Sequence, residues 1–191
     1  MTPHRSLAIV AALAAVLGLA WLGGACSSTT GLPPATLANV VDTVTLYALR
    51  GTPINTPSAY SVQTRSSVHI EQTVALDFAF DYDSVLGPAF FTTGALRLGT
   101  GSGLQPASAA FDAVTSAPTT GYITDRPTAI APGSVLLVAS RPLTCVYGTT
   151  VSLYAKLRVL TVDSTAKRVA FAILVNQNCG YHDLLPGLPS H

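Results

Sequence analysis

Two runs near the C-terminus constrain the fold more than any other part of the chain. Val151, Leu153, Ala155, Leu157 and Val159 occupy every second position, and so do Val169, Phe171, Ile173 and Val175. A period of two puts one set of side chains on one face of an extended strand. Between the runs, Asp163-Ser164-Thr165-Ala166-Lys167 is a polar connection of hairpin length. The spacing predicts an antiparallel hairpin. Cys145 lies just before its first arm and Cys179 just after its second, so the pairing brings both thiols to the open end. A structural Cys145–Cys179 disulfide follows.

The rest of the chain repeats the pattern. Thr43–Leu49 is rich in β-formers. Val74, Leu76, Phe78, Phe80 and Tyr82 alternate with Ala75, Asp77, Ala79 and Asp81, which predicts a strand with one buried and one wet face. Gly87-Pro88 reads as a break, Phe90–Leu98 as a further strand, and Gly99–Gly103 as a loop. Residues 104–121 hold room for one helical turn around Phe111, bounded by Pro106 and Pro118. Pro132-Gly133 marks a turn before a buried strand, Ser134–Ser140. No segment sustains a helical period. Many short strands with Gly/Pro turns predict an all-β fold, a single antiparallel β-sandwich (Ig-like or related).

The N-terminus has a different character. His4 and Arg5 precede an uncharged apolar run of sixteen residues, Leu7–Leu22. That is short for a membrane span of about 20 residues and suits an export signal. Small residues and Cys26 follow. Leu22-Gly23-Gly24-Ala25-Cys26 resembles the lipobox of bacterial lipoprotein precursors, with Gly23 at the place where leucine usually stands. The resemblance implies cleavage before Cys26, diacylglycerol on its thiol and acylation (palmitate) of the new amine. It implies a lipid anchor in the cell envelope, with the bilayer as partner through the Cys26 acyl chains. The organisation expected is a signal peptide over 1–25, the lipidated Cys26 and a tether over 26–36, a β-sandwich over 37–185, and a tail over 186–191. The tether, rich in Ser, Thr and Pro, would reach about 35 Å when stretched.

Beyond the signal the chain carries nine Lys/Arg, the ten of the full sequence less Arg5, and nine Asp/Glu, so its formal charge is zero. Nucleic-acid binding and polybasic docking both need clustered positive charge. No nucleic-acid partner is expected. A second likeness lies in the C-terminal third. Gly133–Val138 followed by Tyr154–Val159, a polar turn and a final apolar strand is similar to the all-β surface lipoproteins of the HmuY-like haemophore type. Those grip haem between two histidines. The resemblance implies an exported β-sandwich and carries over no ligand residue.

Asp77, Asp81 and Asp83 crowd one strand end and are the candidate cation ligands, set against a solvated strand face. His69 and His182 are the candidate ligands for haem or a metal, although no HExxH or other close pair holds them. Phe90, Phe91 and Tyr122 are the aromatic residues placed for exposure. No GxSxG or phosphate-binding loop is present, no catalytic residue is assigned, and no cofactor is expected. The expectation is a non-enzymatic envelope module with a protein or polymer partner. A carrier of a small apolar ligand such as haem or lipid needs a cavity lined by Phe and Tyr. A hydrolase needs His69 or His182 within reach of a serine and an aspartate.

Overall fold

In a computed structural model of the chain, residues 31–99, 101–145 and 148–190 are described. The expected signal segment and Cys26 lie outside the described residues. The body begins at Pro33.

Its strands follow in order. β1 spans Val41–Tyr47, β2 Ala59–Ser61, β3 Ser66–Val68, β4 Phe78–Asp83, β5 Gly87–Thr92 and β6 Gly103–Ala107. After a 3-10 turn at Phe111–Ala113 come β7 (Thr128–Ala129), β8 (Val135–Ala139), β9 (Leu143–Thr144), β10 (Thr150–Val151), β11 (Tyr154–Asp163) and β12 (Arg168–Asn176). They form two five-stranded antiparallel sheets, ordered β1-β12-β11-β8-β6 and β3-β2-β4-β5-β7, and a separate ribbon of β9 with β10.

The sheets pack face to face as an all-β sandwich. Leu46, Val138, Leu157, Phe171 and Ile173 of the first meet Tyr60, Phe78, Phe80 and Phe90 of the second. Phe171 is the hub, with ring centroids 6.1, 5.8 and 5.6 Å from those of Tyr60, Phe78 and Phe90. Such offset and edge contacts add to the burial of apolar area. One backbone and one side-chain hydrogen bond also stitch the flanks of the sandwich. Leu49 N–H donates to Phe80 O at 3.0 Å on one side, and Thr92 Oγ1 donates to Thr124 O at 2.6 Å on the other. A second apolar cluster covers the outer face of the first sheet, where Phe111, Val114 and Leu184 pack on Val135, Leu137 and Leu174.

The hairpin of β11 and β12 forms as its alternation requires. The Cys145–Cys179 disulfide forms across its open end, with Cα atoms 6.1 Å apart. Other readings shift. Val74 is exposed and the strand starts only at Phe78. Its second face is not wet: Asp77, Ala79 and Asp81 are all buried, because Leu49, Val68, Ile70 and Leu96 pack over that side. Gly87-Pro88 opens β5 instead of breaking the chain, and β5 ends at Thr92. Leu104 belongs to β6, a strand hidden from sequence by Pro106.

The folded part reaches past the expected boundaries. Tyr181 Oη donates to Pro33 O at 2.9 Å, and Asn178 Oδ1 accepts from the N–H groups of Thr36 and Leu37 at 2.9 and 3.1 Å. Asn39 and Gly187 exchange backbone hydrogen bonds of 2.7 and 3.0 Å. Residues 33–36 and 187 are therefore part of the body.

Candidate functional site

The sandwich has two unlike ends. β1 starts beside the end of β12, since Val41 pairs with Leu174, and the N-terminal segment joins there. At the other end β1 finishes beside Arg168 and the β11–β12 turn. The β4–β5 turn lies at that second end too, because Tyr82 Oη reaches Asp163 O at 3.5 Å.

Both turns are closed by the same local device. Asp83 Oδ1 accepts from the N–H groups of Val85 and Leu86, each at 2.9 Å. Asp163 Oδ1 accepts from Thr165 and Ala166 at 3.1 and 2.8 Å. Aspartate favours such turns because its short side chain reaches backbone N–H groups two and three residues on. Those bonds favour the charged form. The N–H groups of Leu86 and Val85 hold the Asp83 carboxyl below its ordinary range, and that of Ala166, with Arg168 and Thr165, does the same for Asp163.

Between the turns lies a depression of about 320 Å³ lined by Arg50, Asp81, Tyr82, Ser84 and Lys167. Arg50 Nε donates to Asp81 Oδ2 at 2.6 Å and its Nη2 donates to Tyr82 O at 2.7 Å. The Asp81 carboxylate is buried while the guanidinium is largely exposed, so the acid orients a cation that stays in water. Lys167 turns back over this site with a left-handed backbone, φ 50°. Its amino group rests against Gly51, where a Cβ would run into Nζ and where φ is +76°. The left-handed backbone favours glycine there, whereas the Nζ contact is one that the flexible lysine could yield. Among the described residues Lys167 has no ion-pair partner within 4 Å. Tyr82, packed on Phe80 and desolvated by burial, holds its phenol above the ordinary range. The arrangement offers a fixed guanidinium, an ammonium, a hydroxyl and a tyrosine edge. It suits an anionic or hydroxyl-rich group on a partner surface, and it lacks a nucleophile activated by a base.

The three aspartates do not converge. Asp81 serves Arg50 and Asp83 serves its turn. Asp77, fully buried, lies toward the opposite end, with Oδ2 accepting from Val62 N–H at 2.7 Å and Oδ1 from Arg141 N–H at 2.7 Å and Nε at 3.3 Å. Burial pushes its carboxyl pKa up, and those donors pull it back. The solvated-face reading of Asp77 and Asp81 is thus corrected: both are buried acids with fixed partners. Among the described residues no three His, Cys, Asp or Glu side chains form a metal-binding group.

The histidines are also apart. His182 stacks on Tyr154 of the first sheet at 4.4 Å, and its Nδ1 lies 3.1 Å from Ala117 O. His69 follows β3 in the second sheet, with Nδ1 buried and unpartnered among the described residues. Neither Nδ1 engages a serine or a carboxylate. Phe90 is in the core and not exposed; Phe91 and Tyr122 are half-buried.

Sequence reasoning missed Arg50, Tyr82, Ser84 and Lys167 as site residues. The signal available was the pair of Asp-led turns, which a strand register would have placed at one end. It also missed Lys156, which is buried on the outer face of the first sheet. Its Nζ donates to Val114 O at 2.7 Å and sits 4.7 Å from the Phe111 ring centroid. Burial lowers its pKa, with Asp112 and Asp183 opposing. The ammonium fastens the 3-10 turn to the sheet.

No protein-family model matches this chain, and no curated protein matches it.

Proposed function

We propose that this chain is a non-enzymatic lipoprotein of the cell envelope. It is anchored through acyl chains on Cys26 and presents the Arg50–Lys167 end of its sandwich to an envelope protein or polymer. The observation that carries this reading is the polarity of the body. The N-terminal segment joins one end, and the charged depression lies at the other, ~27 Å away along the nine residues of β12. A module held at one end by lipid has its far end free for recognition. The carrier reading asks for a cavity lined by aromatic side chains. Tyr60, Phe78, Phe80, Phe90 and Phe171 instead fill one another's space, which favours surface recognition.

The test is in cells. Wild-type chain should fractionate with membranes and Cys26→Ser chain should not. A photo-crosslinking residue at Ser84 should yield a discrete adduct that Lys167→Glu diminishes. Retention of Cys26→Ser chain in membranes, or no adduct from Ser84, would sink the proposal.

A further inference from the structure

The anchored end itself is apolar in an unusual way. Leu37, Val40 and Val41 are exposed on the incoming segment, and Leu185 and Leu188 are exposed on the C-terminal strap that pairs with it at Asn39–Gly187. Neither stretch, 31–41 or 184–190, contains a charged residue. The far end also exposes Val85 and Leu86 on the β4–β5 turn, but there they stand among Arg50, Asp81, Asp83, Asp163, Lys167 and Arg168. Five exposed aliphatic side chains on uncharged backbone are costly to leave in water.

The chain outside the body says what covers them. Pro33, Thr36 and Leu37 are hydrogen-bonded to Tyr181 and Asn178, so the body begins at Pro33 and not after Thr36. Seven Cα–Cα steps from Cys26 to Pro33 span at most ~24 Å. A lipid on Cys26 holds Val40 and Leu188 within reach of headgroups and the acyl boundary. We infer that the patch formed by Leu37, Val40, Val41, Leu185 and Leu188 seats on the bilayer surface, so that the domain stands on the membrane with its charged end outward. This rests on lipidation of Cys26. The occupant is a lipid surface of little net charge, since the one cation bordering the patch, Arg65, is paired with Asp42 at 2.6 Å.

The domain beyond Cys26 has no tryptophan, so a single introduced one reports its own surroundings. Full-length Leu188→Trp chain is processed in cells, extracted from membranes, weighed intact, and reconstituted in neutral phosphatidylcholine vesicles with brominated acyl chains. Val40→Trp is the second probe. Val85→Trp, at a position 88% exposed on the far end, is the control. The expected result is blue-shifted emission that bromine quenches for Leu188→Trp and Val40→Trp, with Val85→Trp unquenched. A diacylglycerol-bearing mass with neither anchor-side probe quenched overturns the docking and spares the anchor. Blue-shifted but unquenched emission overturns it in favour of a second copy on the patch. A mass without lipid overturns both readings.

Discussion

Replacing Asp77 tests which contacts tie the two sheets together at the end where the N-terminal segment joins. Its carboxylate receives Val62 N–H, from the segment after β2, and Arg141 N–H, from the segment after β8. Asp77→Ala removes the acceptor and leaves a buried donor at Val62 and a part-buried one at Arg141. Each orphaned donor costs ~1–3 kcal/mol, so the substitution should cost ~2–6 kcal/mol. A hydrophobic replacement of similar volume offers no relief, because the backbone donors cannot be removed with it. Asp77→Asn keeps one acceptor and turns an amide N–H₂ toward the other donor, which places it near ~1–3 kcal/mol. Arg141→Ala keeps the Arg141 backbone N–H and loses only the Nε contact at 3.3 Å, from a side chain about a quarter exposed. Discounted for that exposure, the loss should be ~1 kcal/mol. Urea unfolding of the three variants, followed by circular dichroism with m held common, gives the order directly. Arg141→Ala costing as much as Asp77→Ala would refute the reasoning. It would show that an ion pair, and not backbone capture, holds the sheets there.

Three further outcomes are expected. Cys145→Ser/Cys179→Ser, which opens a loop with a sequence separation of 34, should cost about 3–4 kcal/mol in the chain-entropy model while leaving the hairpin strands protected in hydrogen exchange; loss of protection across β11 and β12 would contradict this. The Asp83 and Asp163 carboxyls titrate below their unfolded value, so the stability they contribute is present above about pH 4 and lost as pH falls through their folded values. Melting curves of Asp83→Asn and Asp163→Asn should therefore converge on wild type in acid, and a constant offset at all pH values would contradict the assignment. The Lys156 pKa is lowered, so the penalty for its burial is fully present below the folded value and relieved as pH rises toward the unfolded value near 10.4. Lys156→Met, which keeps the packing on Phe111, should flatten that alkaline rise in thermal stability, whereas an unchanged pH profile would show that the ammonium carries no such cost.

Short-range rules settle much of this protein. Alternation at every second residue specified the β11–β12 hairpin, because a strand repeats its facing every two residues and a buried face tolerates no slip. Cysteines just outside the two arms specified the disulfide, because hairpin pairing brings its open ends together. The Asp83 turn is equally local, since its carboxylate reaches N–H groups two and three residues on. What the chain alone left open was the company each residue keeps. Alternation placed Asp77 and Asp81 on one face, but whether that face met water depended on Leu49, Val68, Ile70 and Leu96, which arrive from other strands. Arg141, 64 residues from Asp77, and Arg50, 31 residues from Asp81, became partners only when the sheets closed. Likewise the strap at Gly187 found Asn39 across nearly the whole chain. Periodicity and turn chemistry act over a few residues, whereas burial and ion pairing are set by contacts between distant segments. The strands and the staple are thus written in the sequence, and the charged depression and the exposed aliphatic residues at the opposite end belong to the tertiary structure.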